Sequence, residues 1–175
     1  VLLDDATRRH LELFENNEDR SRAGSLISCL DETRCALGAR RLSRWVAYPE
    51  REPALIRRRQ EAVRWIFESD RARGRLREAL GHVRDLERLL AKAIRPNAVP
   101  RDLGALRSSL QALPDVRGAL EEGEVDGLFE DSGGTSTKRP AGFVLPTCLP
   151  ELADLLQAAL VDDPPVIARG SRGAH

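Results

Sequence analysis

The chain has 175 residues, of which 41% are hydrophobic and 32% charged, a balance that allows one buried core beneath a polar surface. Its 28 Lys and Arg residues equal its 28 Asp and Glu residues, so the whole-chain charge gives no argument for binding a polyanion. The sequence shows neither an apolar run near the ~20 residues of a membrane helix nor a signal-peptide pattern, so we expect no membrane span and a cytoplasmic location.

The pattern of the first 30 residues predicts only short helical and extended segments. Asp4 or Asp5 can cap a helical turn over residues 4–9, because an Asp side chain accepts hydrogen bonds from the free N–H groups at a helix start. The other segments are extended pieces at 1–3 and 11–14, a polar loop at 16–24 and a small helix at 25–30.

The pattern of residues 31–49, DETRCALGARRLSRWVAYP, predicts a helix around which the first half of the chain is organised. Asp31 and Thr33 offer capping oxygens at its start, and Pro49 ends it. The residues expected on its apolar face are Cys35, Gly38, Ala39, Leu42, Trp45 and Val46. Glycine inside a helix costs about 1 kcal/mol relative to alanine. We therefore expect another backbone to approach Gly38 closely, unless the helix frays there.

Five longer helices are expected after residue 52. Proline at the first helical position loses no hydrogen bond, so Pro53, Pro100 and Pro150 each mark a helix start. The other two helices begin at caps: Ser69 or Asp70 for a helix to about Leu80, broken by Gly81, and Asp85 for a helix that ends before Pro96.

Apolar residues three or four positions apart give these helices predicted apolar faces. They are Ile56, Val63 and Phe67, with Leu55, Ala62 and Ile66 beside them; Val83, Leu86, Leu90, Ala93 and Ile94; Leu103, Leu106, Leu110 and Leu113; and Leu152, Leu156, Ala159 and Leu160. Pro114 is expected to end the helix that starts at Pro100, with a short turn over 115–120 after it.

Residues 121–147 differ in character from the helices on either side. Acidic residues come first and SGGTSTKRPAG follows, which predicts a flexible low-complexity insert. Residues 168–175 contain nothing that can pack and are expected to be a disordered tail. Predicted helix far exceeds the usual third of residues. The predicted fold class is therefore all-α, with short extended segments near both ends.

Residues that could carry catalysis are few. The three histidines lie in no metalloprotease or serine-nucleophile motif. The run GGTSTK at 133–138 lacks the glycine that precedes the lysine of a phosphate-binding loop. Most carboxylates face arginines at helical spacing, which is typical of a solvated helix surface. We therefore predict no catalytic, cofactor-binding or metal-binding residue in this chain.

The cysteines and the missing methionine indicate the redox state of the thiols and whether the chain is part of a longer protein. Cys29, Cys35 and Cys148 lack metal-ligand spacing and are expected to be reduced thiols. The chain contains no methionine, although a complete translated chain normally begins with one. We expect a fragment of a longer protein, the alternative being a processed or alternative start at Val1.

Residues 34–59 contain eight arginines and only two glutamates, whereas residues 115–131 are mostly acidic among their charged positions. Two interpretations stay open. Arg40, Arg41 and Arg44 lie near a phosphate backbone, or these arginines pair with acids elsewhere in a larger protein.

Five stretches carry a family resemblance. In order they are LDDATRRHLELFEN, GSLISCLDETRCALGARRLSRWVAYP, VRDLERLLAKA, VPRDLGALRSSLQALPDVRGAL and ALVDDPPVI. In sequence and spacing they resemble the core domain of the MutS DNA mismatch-repair proteins, over about residues 2–167. The segment at 130–147 is longer and more polar than is usual in that family, and the final ARGSRGAH leaves the family pattern.

The resemblance implies a MutS-type helical core over residues 21–167, preceded at 1–20 by a lead-in from a connector domain. It implies a parent protein that is a homodimeric ATPase, binds mismatched double-stranded DNA and is associated with the bacterial nucleoid through that DNA. ATP and Mg²⁺ would bind other MutS-type domains of that parent, which are the partners expected for this chain.

In such a core the expected function is mechanical: packed helices relay the nucleotide state of the ATPase to the clamp and mismatch-reading domains. The structural or relay residues that we predict are Gly38, Arg40, Leu42, Trp45, Asp85, Arg88, Arg101 and Asp102. Two alternatives stay open: a stand-alone helical interaction module, and a MutS relative that is not used in mismatch repair.

Overall fold

The computed structural model describes residues 3–126 and 144–165, with side chains to Glu122 and again from Val144. These residues form the helices α1 (Asp5–His10), α2 (Leu26–Leu30), α3 (Ala36–Ala47), α4 (Pro53–Glu68), α5 (Asp70–His82), α6 (Leu86–Ala93), α7 (Pro100–Gln111), α8 (Leu113–Asp126) and α9 (Pro150–Ala159). Within the described ranges there is no strand, which confirms the all-α fold class. None of the described helices is long and apolar enough to cross a membrane.

Most helix starts follow the predicted capping residues. The Asp4 carboxylate accepts the N–H of Thr7 at 2.6 Å before α1. Ser25, Ser69 and Asp85 cap α2, α5 and α6 in the same way. Proline occupies the first turn of α4, α7 and α9, as predicted. These starts depend on residues within one helical turn, so a sequence pattern is enough to find them.

Residues 11–14 do not form the predicted extended piece. They turn back sharply, with Glu12 at a φ of 48°. The carbonyls of Glu12 and Leu13 accept the N–H groups of Leu26 and Ile27 at 2.9 and 3.0 Å. The segment therefore satisfies its backbone against the start of α2, where the Leu13 side chain is buried, instead of pairing with a strand.

Two predicted helix ends are also wrong. α5 continues through Gly81 to His82, because a glycine inside a helix costs only about 1 kcal/mol relative to alanine. Pro114 falls in the first turn of α8, where a proline is tolerated, so α7 ends earlier, at Gln111. α8 then runs to Asp126, which makes the first six residues of the predicted insert helical. Residues 127–143 of that insert and the predicted tail at 168–175 lie outside the described residues.

Two clusters of buried side chains form the core. The first joins α4, α5 and α8, and it consists of Trp65, Ala79, Val83, Ala112, Val116 and Leu120. The second joins α6, α7 and α9, and it consists of Leu89, Leu106, Leu110 and Ala153. Leu86 and Leu113 pack against both clusters, so the helices from α4 to α9 share one continuous interior.

The predicted apolar faces of α4 and α6 turn inward only in part, since Ile66, Val83 and Leu86 of those faces belong to the core or pack against it. On α4 the buried residue is Trp65, whereas Val63 and Phe67 from the predicted row are exposed. On α6 Leu89 is buried and Leu90 is exposed. A tryptophan removes more apolar surface from water than the smaller side chains, so burying Trp65 decides how α4 is oriented.

Candidate functional site: an ion-paired junction and a buried arginine

An ion-paired contact between α3 and α6 brings together three of the predicted relay residues. Arg40 Nη2 donates to Asp85 Oδ1 at 2.8 Å and to Glu87 Oε2 at 2.7 Å, and its Nη1 contacts the second Asp85 oxygen. Asp85 also caps α6 by accepting the backbone N–H of Arg88 at 3.0 Å. We call Arg40, Asp85, Glu87 and Arg88 the α3–α6 junction.

The electrostatics of the junction follow from these hydrogen bonds. The Arg40 guanidinium, and secondarily the N–H of Arg88, lower the pKa of the Asp85 carboxyl to about 2. The hydrogen bond from Arg40 to Asp85 likewise raises the pKa of the arginine, which stays fully charged. Folding therefore favours the ionised form of Asp85 over its protonated form.

That difference predicts a loss of stability in acid. Because the folded pKa of Asp85 is depressed, its contribution is present above the unfolded pKa of 3.8 and is lost as the pH falls towards about 2. Asp85→Asn, which can still cap α6, should narrow the gap between the urea unfolding midpoints at pH 6 and at low pH. The pKa values of Asp4, Asp19, Asp31 and Glu50 are also lowered, so part of the gap should remain in the variant. An unchanged gap in Asp85→Asn would show that Asp85 is not responsible.

Beside the junction an open groove of about 980 Å³ lies between α3 and the bundle, and Leu37 of α3 packs against the first core cluster. Its apolar walls include Leu37, Leu80, Val83 and Val116, and Arg40, Arg41 and Arg44 lie along its edge. A Cβ at Gly38 would first meet the side chains of Thr33 and Cys35, at 3.4 to 3.6 Å. These are ordinary contacts, so the predicted close approach of another backbone to Gly38 is wrong.

The start of α3 also differs from the prediction. The helix begins after Cys35, which makes no side-chain capping bond. Asp31 accepts the Thr33 hydroxyl at 2.6 Å and pairs with Arg22, so neither side chain caps α3. The other end is held by Arg8, which donates to the Ala47 carbonyl at 3.5 Å.

The remaining predicted residues lie apart from the junction. Trp45 is 39% exposed on the side of α3 next to α4, and the Arg59 guanidinium lies 4.5 Å from its ring centre. Leu42 is half-buried, and Arg101 is exposed at the start of α7. Asp102 accepts Lys92 Nζ at 2.9 Å, which ties α7 to α6. Proximity of Arg40, Arg41 and Arg44 to phosphate stays a prediction.

The sequence patterns did not reveal a buried arginine that holds the segment after α9. Arg107 is 6% exposed. Its guanidinium donates to the carbonyls of Leu160, Val161 and Asp162 at 3.4, 3.2 and 2.9 Å. These carbonyls follow the end of α9, where unpaired acceptors favour a cation. A usable signal existed, because Arg107 is four positions after Leu103 and so falls on the apolar face of α7.

Gly104, one turn before Arg107, lets the same segment lie against α7. A Cβ at Gly104 would be 2.7 Å from Cγ of Pro164, closer than real Cβ atoms come to other atoms. Ser109, further along α7, is fully buried and accepts the N–H of Arg84 at 3.1 Å. We call Gly104, Arg107 and the 160–165 segment the α7 clip.

In the two ranges that the structure covers, no group of three or more His, Cys, Asp or Glu side chains could hold a metal ion. The structure thus shows a packed helical bundle to which α3 is attached by the α3–α6 junction and the 160–165 segment by the α7 clip.

Comparison with known proteins agrees with this architecture. The family model described as MutS domain III matches residues 6–173. The chain is 40% identical over 167 residues to the DNA mismatch repair protein MutS of Salinibacter ruber, covering 94% of this chain and 17% of the relative. It is 41% identical over 172 residues to MutS of Nitratidesulfovibrio vulgaris, covering 94% and 19%.

A relative from a third organism is matched over a similar share of the chain. The chain is 38% identical over 169 residues to MutS of Methanothrix thermoacetophila, covering 97% of this chain and 19% of the relative. The chain thus spans less than a fifth of the length of these relatives. The match to the family model over nearly the whole chain, together with the all-helical fold, shows that this chain belongs to the MutS domain III family.

Proposed function

We propose that this chain is a non-catalytic part of the helical core of a DNA mismatch repair protein. The observation that carries the proposal is the match to MutS domain III over residues 6–173. The parent protein would bind mismatched double-stranded DNA as a homodimer and hydrolyse ATP. ATP and Mg²⁺ would bind the remaining MutS-type domains of that parent. The parent would act in the bacterial cytoplasm, at the nucleoid through its DNA.

Within that protein the core would act as a mechanical link. The two core clusters share Leu86 and Leu113, so α4 to α9 are expected to move as one body. Tightly packed interiors resist continuous bending and rearrange between discrete packings. α3 is attached to this body through the α3–α6 junction and the packing of Leu37 against the first core cluster, and it otherwise faces the body across an open groove. This arrangement would let α3 change position relative to the bundle without disrupting its interior.

The experiment uses the full-length parent protein with Gly38→Leu or Trp45→Ala. Both residues lie on α3, so we expect each change to reduce the stimulation of ATP hydrolysis by mismatched DNA. A loss of about 1–3 kcal/mol of coupling corresponds to a reduction of roughly 5- to 150-fold. The measurement is ATPase rate with mismatched DNA, with matched DNA and without DNA.

Leu155→Ala is the matched control, because Leu155 is an exposed apolar residue on α9 away from α3. Normal coupling in a Gly38→Leu protein that is still folded and dimeric would contradict the relay. A stand-alone interaction module would show no ATP-linked behaviour in any of these proteins.

A further inference from the structure

A patch of exposed apolar side chains crosses α3 and α4. We call Trp45, Leu55, Val63 and Phe67 the α3–α4 patch; their exposed fractions are 39%, 43%, 65% and 71%. Two open grooves, of about 720 and 460 Å³, have Trp45, Val63 and Phe67 in common along their walls. Scattered apolar residues on a surface are ordinary, but a contiguous patch that lines a groove marks an interaction site.

The charged side chains that line the two grooves share one sign, although Arg59 also pairs with Glu50 at 3.5 Å and Arg73 with Asp70. The charged side chains that line the two grooves in the described structure are arginines: Arg41, Arg58, Arg59, Arg64 and Arg73. Two of them, Arg41 and Arg59, lie over the Trp45 ring at 5.9 and 4.5 Å. Arg73 lies over the Phe67 ring at 5.5 Å. The surface thus presents apolar rings and guanidinium groups together.

We propose that the α3–α4 patch is the docking surface for an amphipathic helix with acidic residues beside its apolar stripe. This helix would belong to the remainder of the same parent polypeptide. The inference rests on the proposed function, under which more than four fifths of the parent lies outside this chain. An apolar helix face fits into an apolar groove, and carboxylates beside it can form two hydrogen bonds with a guanidinium.

Nucleic acid fits the patch less well than such a helix does. A phosphate backbone would satisfy the arginines, but it carries no apolar surface to cover Val63 and Phe67, which are the most exposed members of the patch. Covering both the charge and the apolar area needs a partner that has both, which is a protein segment with acidic and apolar residues side by side.

The test measures burial of the patch in the full-length parent protein. Val63→Cys and Phe67→Cys are introduced separately, and the rate of modification by a thiol reagent is read at each site by mass spectrometry. We expect modification at both sites to be slower by about tenfold or more than at Leu155→Cys, an exposed control on α9. Equal rates at the patch and at the control site would overturn the proposal.

A second set of variants tests the chemistry of the occupant. Arg41→Glu should restore fast modification of the cysteine at position 67, because it places like charges together, whereas Arg41→Lys should keep the modification slow. If Arg41→Glu has no effect, the occupant is not acidic and that part of the proposal fails.

Other occupants give different results, and each would replace the proposed one. Slow modification that appears only when DNA is added identifies nucleic acid, and protection that rises with protein concentration identifies a second copy. Slow modification already present in the 175-residue chain identifies a segment of this chain itself. All these readouts are independent of ATPase activity, so failure of the relay and failure of the docking surface can be told apart.

Discussion

Replacing Gly104 with leucine should detach the 160–165 segment from α7 and lower the free energy of unfolding by roughly 1–3 kcal/mol, the usual cost of overpacking. The Cβ alone would lie 2.7 Å from Cγ of Pro164, and a proline ring has little freedom to move aside. Separation of the segment would also remove the hydrogen bonds that Arg107 donates to its carbonyls. Urea unfolding measures the loss of stability, and amide exchange at 160–163 measures the release.

Gly74→Leu provides the matched control. Gly74 is also a glycine inside a helix, but nothing lies within 4 Å of its Cβ position and it is exposed on α5. There the higher helix propensity of leucine should raise stability by a few tenths to about 1 kcal/mol. If both substitutions changed stability in the same direction, the contact with Pro164 would not be what constrains position 104.

Replacing Trp65 with alanine should have the largest effect of any change considered, a loss of about 3–5 kcal/mol, because a large buried aromatic leaves a cavity. Trp65 is 5% exposed and belongs to the cluster that joins α4, α5 and α8. Losing this side chain removes contacts from three helices at once. A domain of ordinary stability has about 5–15 kcal/mol in total, so the variant is expected to be marginal at room temperature. Urea unfolding of the 175-residue chain is the measurement.

Phe67→Ala is the comparison, since Phe67 is an aromatic residue only two positions later on the same helix. It is 71% exposed, so in the 175-residue chain its loss should change stability by no more than about 0.5 kcal/mol. Comparable losses for Trp65→Ala and Phe67→Ala would mean that α4 turns the predicted apolar row inward after all. In the full-length parent, by contrast, Phe67→Ala should be costly if the α3–α4 patch is covered.

The sequence predictions succeeded where a structure depends on neighbours in the chain. Asp4, Ser69 and Asp85 were identified among the capping candidates because a capping side chain bonds to an N–H only two or three residues later. The membership of the MutS family was likewise found from residues and spacing, and the comparisons confirmed it.

The predictions failed where apolar residues lay on more than one side of a helix. α4 carries Val63, Trp65 and Phe67 within five positions, and periodicity cannot say which of its sides is covered in this chain. The row at Val63 and Phe67 was predicted as a coherent apolar face, and such a face is what the docking proposal requires. What the sequence pattern could not show is that α5 and α8 cover the side at Trp65.

Taken alone, the sequence determined the helical class, most helix starts and the family, because each of these is encoded in residues near one another or in their order. Only the tertiary structure showed that Arg40 pairs with Asp85, that Arg107 is buried and that Gly104 has a close neighbour in Pro164. Those contacts join residues between 45 and 60 positions apart. The free energy that selects them comes from packing whole helices together, which no local pattern of residues contains.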